Sequence, residues 1–167
     1  MQKKLVYLSC GSNLGDRLFF LNFAIKEIEK GIGDIIKRSS VYESEAWGFK
    51  AENFLNQCLL IETKYNALDL LLLLQEIEKK ADRKEKQGEG YTSRELDIDI
   101  LFFNDAVIKK SNLKIPHPLL QERKFVLLPL KEIADGFIHP VFKKSITVLF
   151  QECEKKDKTS IKKIEFN

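Results

Sequence analysis

Asp97 and Asp99 are the residues of this chain best suited to chemistry. They lie in Ser93-Arg94-Glu95-Leu96-Asp97-Ile98-Asp99-Ile100-Leu101-Phe102-Phe103, whose alternation predicts a β-strand. Side chains on a strand alternate faces, so both carboxylates point one way and Leu96, Ile98 and Ile100 the other. Adjacent ionised carboxylates repel and are expensive to desolvate. A hydrophobic strand that carries two of them is expected to bind a cation there. Their spacing of roughly 6–7 Å along a strand suits a pair of divalent ions about 3.5–4 Å apart. Arg94 stands three residues before the first aspartate. Metal plus arginine is the machinery of phosphoryl transfer, where positioning and charge neutralisation lower the barrier.

Other residues could complete such a site. The arginines are Arg17, Arg38, Arg83, Arg94 and Arg123, few against the lysines, and arginine is the better planar partner for phosphate. Arg83 and Arg94 flank a polar, glycine-containing loop, residues 84–93, of the kind expected as a lid over a charged substrate. His117, held between Pro116 and Pro118, and Arg123 six residues on could donate hydrogen bonds to phosphate. His139 is expected to be structural. Trp47 precedes Gly48 in a loop and can stack on a flat heterocycle. Asn56 can match ring nitrogens and a carbonyl, because an amide both donates and accepts. Taken singly, Trp47, Phe54 and Asn56 read equally well as ordinary core.

The elements that must position these residues follow from periodicity. Residues 5–10 read as a buried strand, and Gly11-Ser12-Asn13-Leu14-Gly15-Asp16 as a structural turn into a helix capped by Ser12 or Asn13. It lacks both the Walker Gly-Lys-Ser/Thr and a GxGxxG pattern. Leu18, Leu21, Ile25 and Ile28 mark the apolar face of that helix, which Gly31 and Gly33 end. Residues 35–42 and 54–63 read as strands. Asn66 caps a second helix with core face Leu70, Leu73, Leu74, Ile77 and Ala81, and Gln75, Glu78 and Asp82 form a polar stripe on it. After the aspartate strand come a turn at Asn104-Asp105, a rigid corner at Ile115-Pro116-His117-Pro118, and helices over 125–133 and 146–153. The order is β-α-β twice and then irregular elements. It predicts an α+β fold: a ferredoxin-like α/β sandwich with a mostly antiparallel sheet and helices packed on it.

Composition bounds the rest. The 167 residues suit one domain, with a core over about 3–150 and a solvated lysine-rich tail over 154–167. A 44% hydrophobic content is enough for a real core. With 28 basic against 25 acidic residues the net charge is +3, too balanced to argue for nucleic acid or membrane. Cys10, Cys58 and Cys153 are odd in number and widely spaced, which suggests neither zinc site nor disulfide framework. No stretch reaches membrane-spanning length and no signal segment is visible. A reduced, cytoplasmic monomer is expected. The residues alone still leave open a ferredoxin-like module that binds RNA or protein, and a metal-dependent hydrolase using the same carboxylates. An RNA reader should carry basic and aromatic residues on its sheet face rather than two aspartates. A hydrolase needs a placed base for water, and His117 is the only candidate.

Taken together, these stretches resemble the 6-hydroxymethyl-7,8-dihydropterin pyrophosphokinase family. The likeness runs from Leu8 to about Ala134. It rests on Gly11-Ser12-Asn13-Leu14-Gly15-Asp16, Ser40-Val41-Tyr42-Glu43-Ser44 with Trp47-Gly48, Asn53-Phe54-Leu55-Asn56, Arg94-Glu95-Leu96-Asp97-Ile98-Asp99-Ile100-Leu101, and Ile115-Pro116-His117-Pro118 with Arg123 and Phe125. The resemblance implies that the pterin hydroxymethyl oxygen attacks the β-phosphorus of ATP and AMP leaves. It implies two Mg2+ ions on Asp97 and Asp99, with Arg83 and Arg94 as further catalytic residues closing on the phosphates. Gln75, Glu78, Ile100, Lys114, His117 and Arg123 are implied on the nucleotide side. Ser44, Glu45, Trp47, Phe54, Asn56 and Phe125 are implied as the pterin slot, with Asp97 also touching the substrate hydroxyl. The chain departs from the family's usual pattern at Glu85, where a second loop arginine is common, in the absence of a loop tryptophan, and at Pro118, often a tyrosine. The implied partners are ATP and the pterin, with neither nucleic acid nor membrane.

Overall fold

The structure, a computed structural model, describes residues 2–81 and 93–166. Arg83, Asp82 and nearly all of the 84–93 loop lie outside the described residues. The first strand, β1, runs Lys4–Ser12, and helix α1 spans Arg17–Gly31. Strands β2 (Gly33–Arg38), β3 (Val41–Ser44) and β4 (Phe54–Thr63) follow, then α2 (Ala67–Lys80) and β5 (Asp97–Phe103). A small ladder pairs β6 (Ile108–Lys109) with β7 (Lys114–Ile115). A 3-10 turn at Leu120–Glu122, α3 (Lys124–Ala134), α4 (Ile146–Lys156) and β8 (Ile161–Ile164) complete the chain.

The main sheet is antiparallel, in the order β5-β1-β4-β3-β8, and β2 pairs with the far end of β4. Its two faces bury different cores. Val6, Leu8, Cys10, Leu59, Ile61, Ile98 and Ile100 pack with α1 and α2. Cys58, Leu60, Leu101 and Phe102 pack with α3 and α4 on the other face. Leu101 and Phe102 share that face because the β1–β5 register slips between Tyr7 and Leu8, a bulge that places two consecutive residues on one side. The face that carries Asp97 and Asp99 therefore runs directly into an apolar core. The expected α+β, ferredoxin-like sandwich is present, with both faces covered.

Several boundaries differ from the sequence expectation. Gly11 and Ser12 belong to β1, and the cap of α1 is Asp16, whose carboxylate accepts from Phe19 N at 2.9 Å. Asn13 cannot serve as the cap because its side chain is spent on other backbone. Gly33 opens β2 rather than closing α1: a Cβ there would lie 2.1 Å from Glu62 O, so only glycine lets β2 approach β4. The strand expected over 35–42 breaks at Ser39. Its backbone N–H donates to Cys58 O at 2.9 Å and its hydroxyl accepts from Cys58 N at 2.9 Å, interrupting the regular ladder. Leu73 is only half-buried, while Leu70, Leu74, Ile77 and Ala81 are core. The C-terminal tail, expected to be solvated, contributes β8 to the sheet. Ile161-Lys162-Lys163-Ile164 is short and does not alternate, so it carries too weak a pattern to announce an edge strand.

Candidate active site

The floor of the site is one row across the sheet. Asp97 on β5 is the register partner of Gly11 on β1, and Gly11 is the partner of Asn56 on β4. The next row on the same face pairs Asp99 with Ser9. The glycine between Asp97 and Asn56 leaves that floor bare of side chain. Two strand spacings of about 4.8 Å separate the carboxylate and amide strands.

Around this floor lies a cleft lined by Ser44, Trp47, Phe54, Arg94, Arg123 and Phe125 together with the floor residues. It holds about 550 Å³ of space, mouth included. Its aromatic wall is made by Trp47 and Phe125, with ring centroids 6.4 Å apart and planes tilted by 54°. The Arg123 guanidinium lies 5.4 Å from the Trp47 ring and 5.8 Å from the Phe125 ring, within cation–π range. Phe54 packs edge-on against Phe49, at 6.4 Å and 79°. Asn56 is buried, and its Nδ2 donates to Ser44 Oγ at 2.8 Å. Glu45 stands at the rim of the same cleft.

Asp97 and Asp99 share a face as expected, and their side chains are 28% and 34% exposed. Each carboxylate has a cation beside it. Arg94, itself only 11% exposed, pairs with Asp97. Arg123, 7% exposed, sits 3.7 Å from Asp99. His117 Nε2 is 3.8 Å from Asp99 and 3.5 Å from Arg123. The imidazole is nonetheless neutral: burial, reinforced by the Arg123 charge, lowers its pKa to about 4 against an opposing pull from Asp97. Its Nδ1 accepts from Leu119 N at 3.2 Å, so the remaining ring hydrogen is on Nε2 and faces the site.

Asn13 supports this arrangement from behind. Its Oδ1 accepts from Arg94 N at 2.7 Å and its N–H donates to Arg94 O at 3.0 Å. Its Nδ2 donates to Glu52 O at 3.1 Å and Ser93 Oγ at 3.0 Å. One buried amide thus joins the end of β1, the 45–53 loop and the approach to β5. Arg17 donates to Glu43 Oε2 and Asn53 O, both at 2.8 Å, and ties the same loop to β3.

Four residues implied on the nucleotide side do not line this cleft. Ile100 is 6% exposed and packs into the α1/α2 core, on the face opposite the aspartates, as strand alternation requires. Glu78 is 3% exposed, and its carboxylate accepts from Ile98 N at 2.8 Å, so it braces β5 between the two aspartates. Lys114 is exposed on the short β6–β7 ladder, where it lines a separate shallow groove with Pro116 and Pro118. Gln75 is exposed on α2. The sequence reading missed Ser9, Gly11, Phe49 and Asn13. The signal for Gly11 was available: a glycine inside a strand marks a place where a ligand or backbone approaches closely. That for Asn13 was not, since its partners are 39 and more residues away.

Known proteins resemble this chain in sequence and in fold. The sequence model of the family described as 7,8-dihydro-6-hydroxymethylpterin-pyrophosphokinase (HPPK) matches residues 7–135. A 2-amino-4-hydroxy-6-hydroxymethyldihydropteridine pyrophosphokinase of Aquifex aeolicus is 45% identical over 142 residues, covering 84% of this chain and 87% of its own. One of Bacillus subtilis is 38% identical over 131 residues, 77% of each chain. Among solved structures, the wild-type HPPK-DHPS of Plasmodium falciparum with STZ-DHP superposes with a TM-score of 0.75 at 18% identity, over 90% of this chain. This chain spans 43% of that fused protein's length, and the likeness speaks for the fold alone. With the aspartate strand, the aromatic wall and the match over residues 7–135 in agreement, the chain belongs to the HPPK family, the pyrophosphokinases that transfer diphosphate from ATP to hydroxymethyldihydropterin in folate biosynthesis.

Proposed function

We propose that this cleft transfers the β,γ-diphosphoryl group of ATP to the hydroxymethyl oxygen of 6-hydroxymethyl-7,8-dihydropterin and releases AMP, with two Mg2+ ions on Asp97 and Asp99. The observation that carries the reading is the row Asp97–Gly11–Asn56. It sets a carboxylate and a buried amide two strands apart, with a bare glycine floor between them, flanked by the Trp47–Phe125 wall.

The donor set suits Mg2+. Among the described residues no group of three or more His, Cys, Asp or Glu could hold a metal by itself. Mg2+ in phosphoryl-transfer sites takes one or two carboxylates and completes its shell with phosphate and water. Asp97 and Asp99 are half-exposed and share a face, which leaves those positions to the substrate. Bound there, the ions would neutralise charge on the phosphate oxygens as the diphosphoryl group leaves AMP.

The chain's own residues do the rest. Arg94 and Arg123 hold positive charge on either side of the carboxylates and supply planar donors to phosphate. His117 presents a neutral Nε2–H, which can hydrogen-bond a phosphate oxygen without giving up a proton. Arg83 is assigned to the phosphates on the resemblance. Asn56 keeps Oδ1 and one amide hydrogen for the edge of the pterin, while Ser44 fixes its orientation. Trp47 and Phe125 exclude water from the flat ring, and Asp97 is within reach of the hydroxyl at its end. ATP, Mg2+ and the pterin incubated with the protein should yield AMP. Accumulation of ADP or inorganic phosphate instead would overturn this reading.

A further inference from the structure

The C-terminal segment lies beyond the stretch matched to the family, residues 7–135, yet it contacts two walls of the cleft. α4 ends at Lys156, and an aspartate turn redirects the chain: Thr159 N donates to Asp157 Oδ1 at 2.9 Å, and the Thr159 hydroxyl bonds the same carboxylate. At that turn Lys124 Nζ donates to Thr159 O at 3.2 Å and lies 3.7 Å from Glu154. Lys124 is only 14% exposed, and it sits between Arg123 and Phe125 at the start of α3. The chain then forms β8, which pairs with every residue of β3, from Val41↔Ile164 to Ser44↔Ile161.

The other side of β3 pairs with β4 at only three positions, Tyr42, Glu43 and Ser44. Ser44 is the residue that orients Asn56, and the loop bearing Trp47 leaves directly from it. Without β8, β3 would be a four-residue edge strand, and the short edge of a sheet is its least protected part. One segment therefore spans the Ser44–Asn56 wall and the Phe125 wall.

We propose that residues 157–164 act as a positioning brace for the acceptor side of the cleft. Lys124 anchors the brace and β8 clamps β3 through it. The phosphate side is held by other contacts: Asp97, Asp99 and Arg94 by β1, Glu78 and Asn13, and the Arg123 guanidinium by its place beside Asp99.

The inference rests on the proposed reaction, and its test separates the two. Full-length wild type is first assayed for AMP release; if it releases none, the functional reading falls and the brace with it. With wild type active, Lys124→Met, Lys124→Arg and Asp157→Ala are compared by steady-state kinetics and by amide hydrogen exchange. Lys124→Met and Asp157→Ala should speed exchange at residues 41–44 and 161–164. Each should raise KM for the pterin about fivefold, the scale of one lost hydrogen bond, while KM for ATP and kcat stay within about twofold. Lys124→Arg, which keeps a donor, should restore pterin KM. Faster exchange with unchanged pterin KM would overturn the brace. So would an equal rise in both KM values, or wild-type residues 161–164 that exchange without protection.

Discussion

In the proposed reaction Asp97 and Asp99 act through charge held in a strand that is otherwise apolar. Replacing either with asparagine keeps the shape and removes the charge. Asp97→Asn and Asp99→Asn should each lower kcat by about a thousandfold or more with a melting temperature close to wild type. Near-normal turnover in either variant would remove the two-metal assignment. Asn13 acts one step back, through the backbone of Arg94. Asn13→Ala should lower kcat by about tenfold to a hundredfold, since small displacements of catalytic groups are costly. Because Asn13 also holds Glu52 O, pterin KM should move less than kcat; the two read from one titration decide whether Asn13 serves Arg94 first.

At the scale of elements, the site depends on the close fit of strands that carry no chemistry. Gly33 lies against β4 so tightly that a methyl group would meet a backbone carbonyl oxygen rather than a flexible side chain. Relief requires β2 to move away from β4. Gly33→Ala should therefore destabilise the protein by more than about 2 kcal/mol; a urea titration with no change in midpoint would show that β2 is not held as described. Gly31→Ala is the matched control, since a Cβ there meets nothing within 4 Å. Glu78 has a similar bracing role on β5. Its carboxylate accepts a strand N–H that would otherwise be buried without that acceptor, so Glu78→Ala should cost about 1–3 kcal/mol. Glu78→Gln, which keeps an oxygen acceptor, should cost less.

At the scale of the whole molecule, the two histidines set a pH dependence. His139 is 2% exposed and its Nδ1 accepts from Val141 N and Phe142 N, both at 3.1 Å. Burial lowers its pKa below the ordinary 6.5. The unfolded chain thus takes up a proton near its ordinary pKa and the folded chain only at lower pH, so stability falls as pH drops below about 6.5. Urea denaturation should show lower stability at about pH 5.5 than at about pH 7.5, above the range where carboxylates titrate. His139→Asn should reduce that slope and leave the part set by His117, whose pKa burial lowers to about 4. An unchanged slope would mean that His139 can charge in the folded state. Among the described residues no helix is long and apolar enough to cross a membrane.

What was legible in the sequence was whatever rests on local periodicity. The aspartate strand and the core faces of α1 and α2 follow from alternation at two residues or recurrence at three and four, and β4 over residues 54–63 from a short apolar run. The motifs that carry the family resemblance were legible for the same reason, as they are contiguous. What only the tertiary structure decided rests on register and distant pairing. The Asp97–Gly11–Asn56 row, the Asn13 clamp, the core burial of Glu78 and Ile100, and the pairing of β8 with β3 join residues separated by 20 to 120 positions or so. Such contacts leave no periodic trace, because a hydrogen bond or a shared row constrains two positions and not the pattern between them. For this protein, therefore, the chemistry could be read from the chain, and the support that aligns that chemistry with its substrate could not.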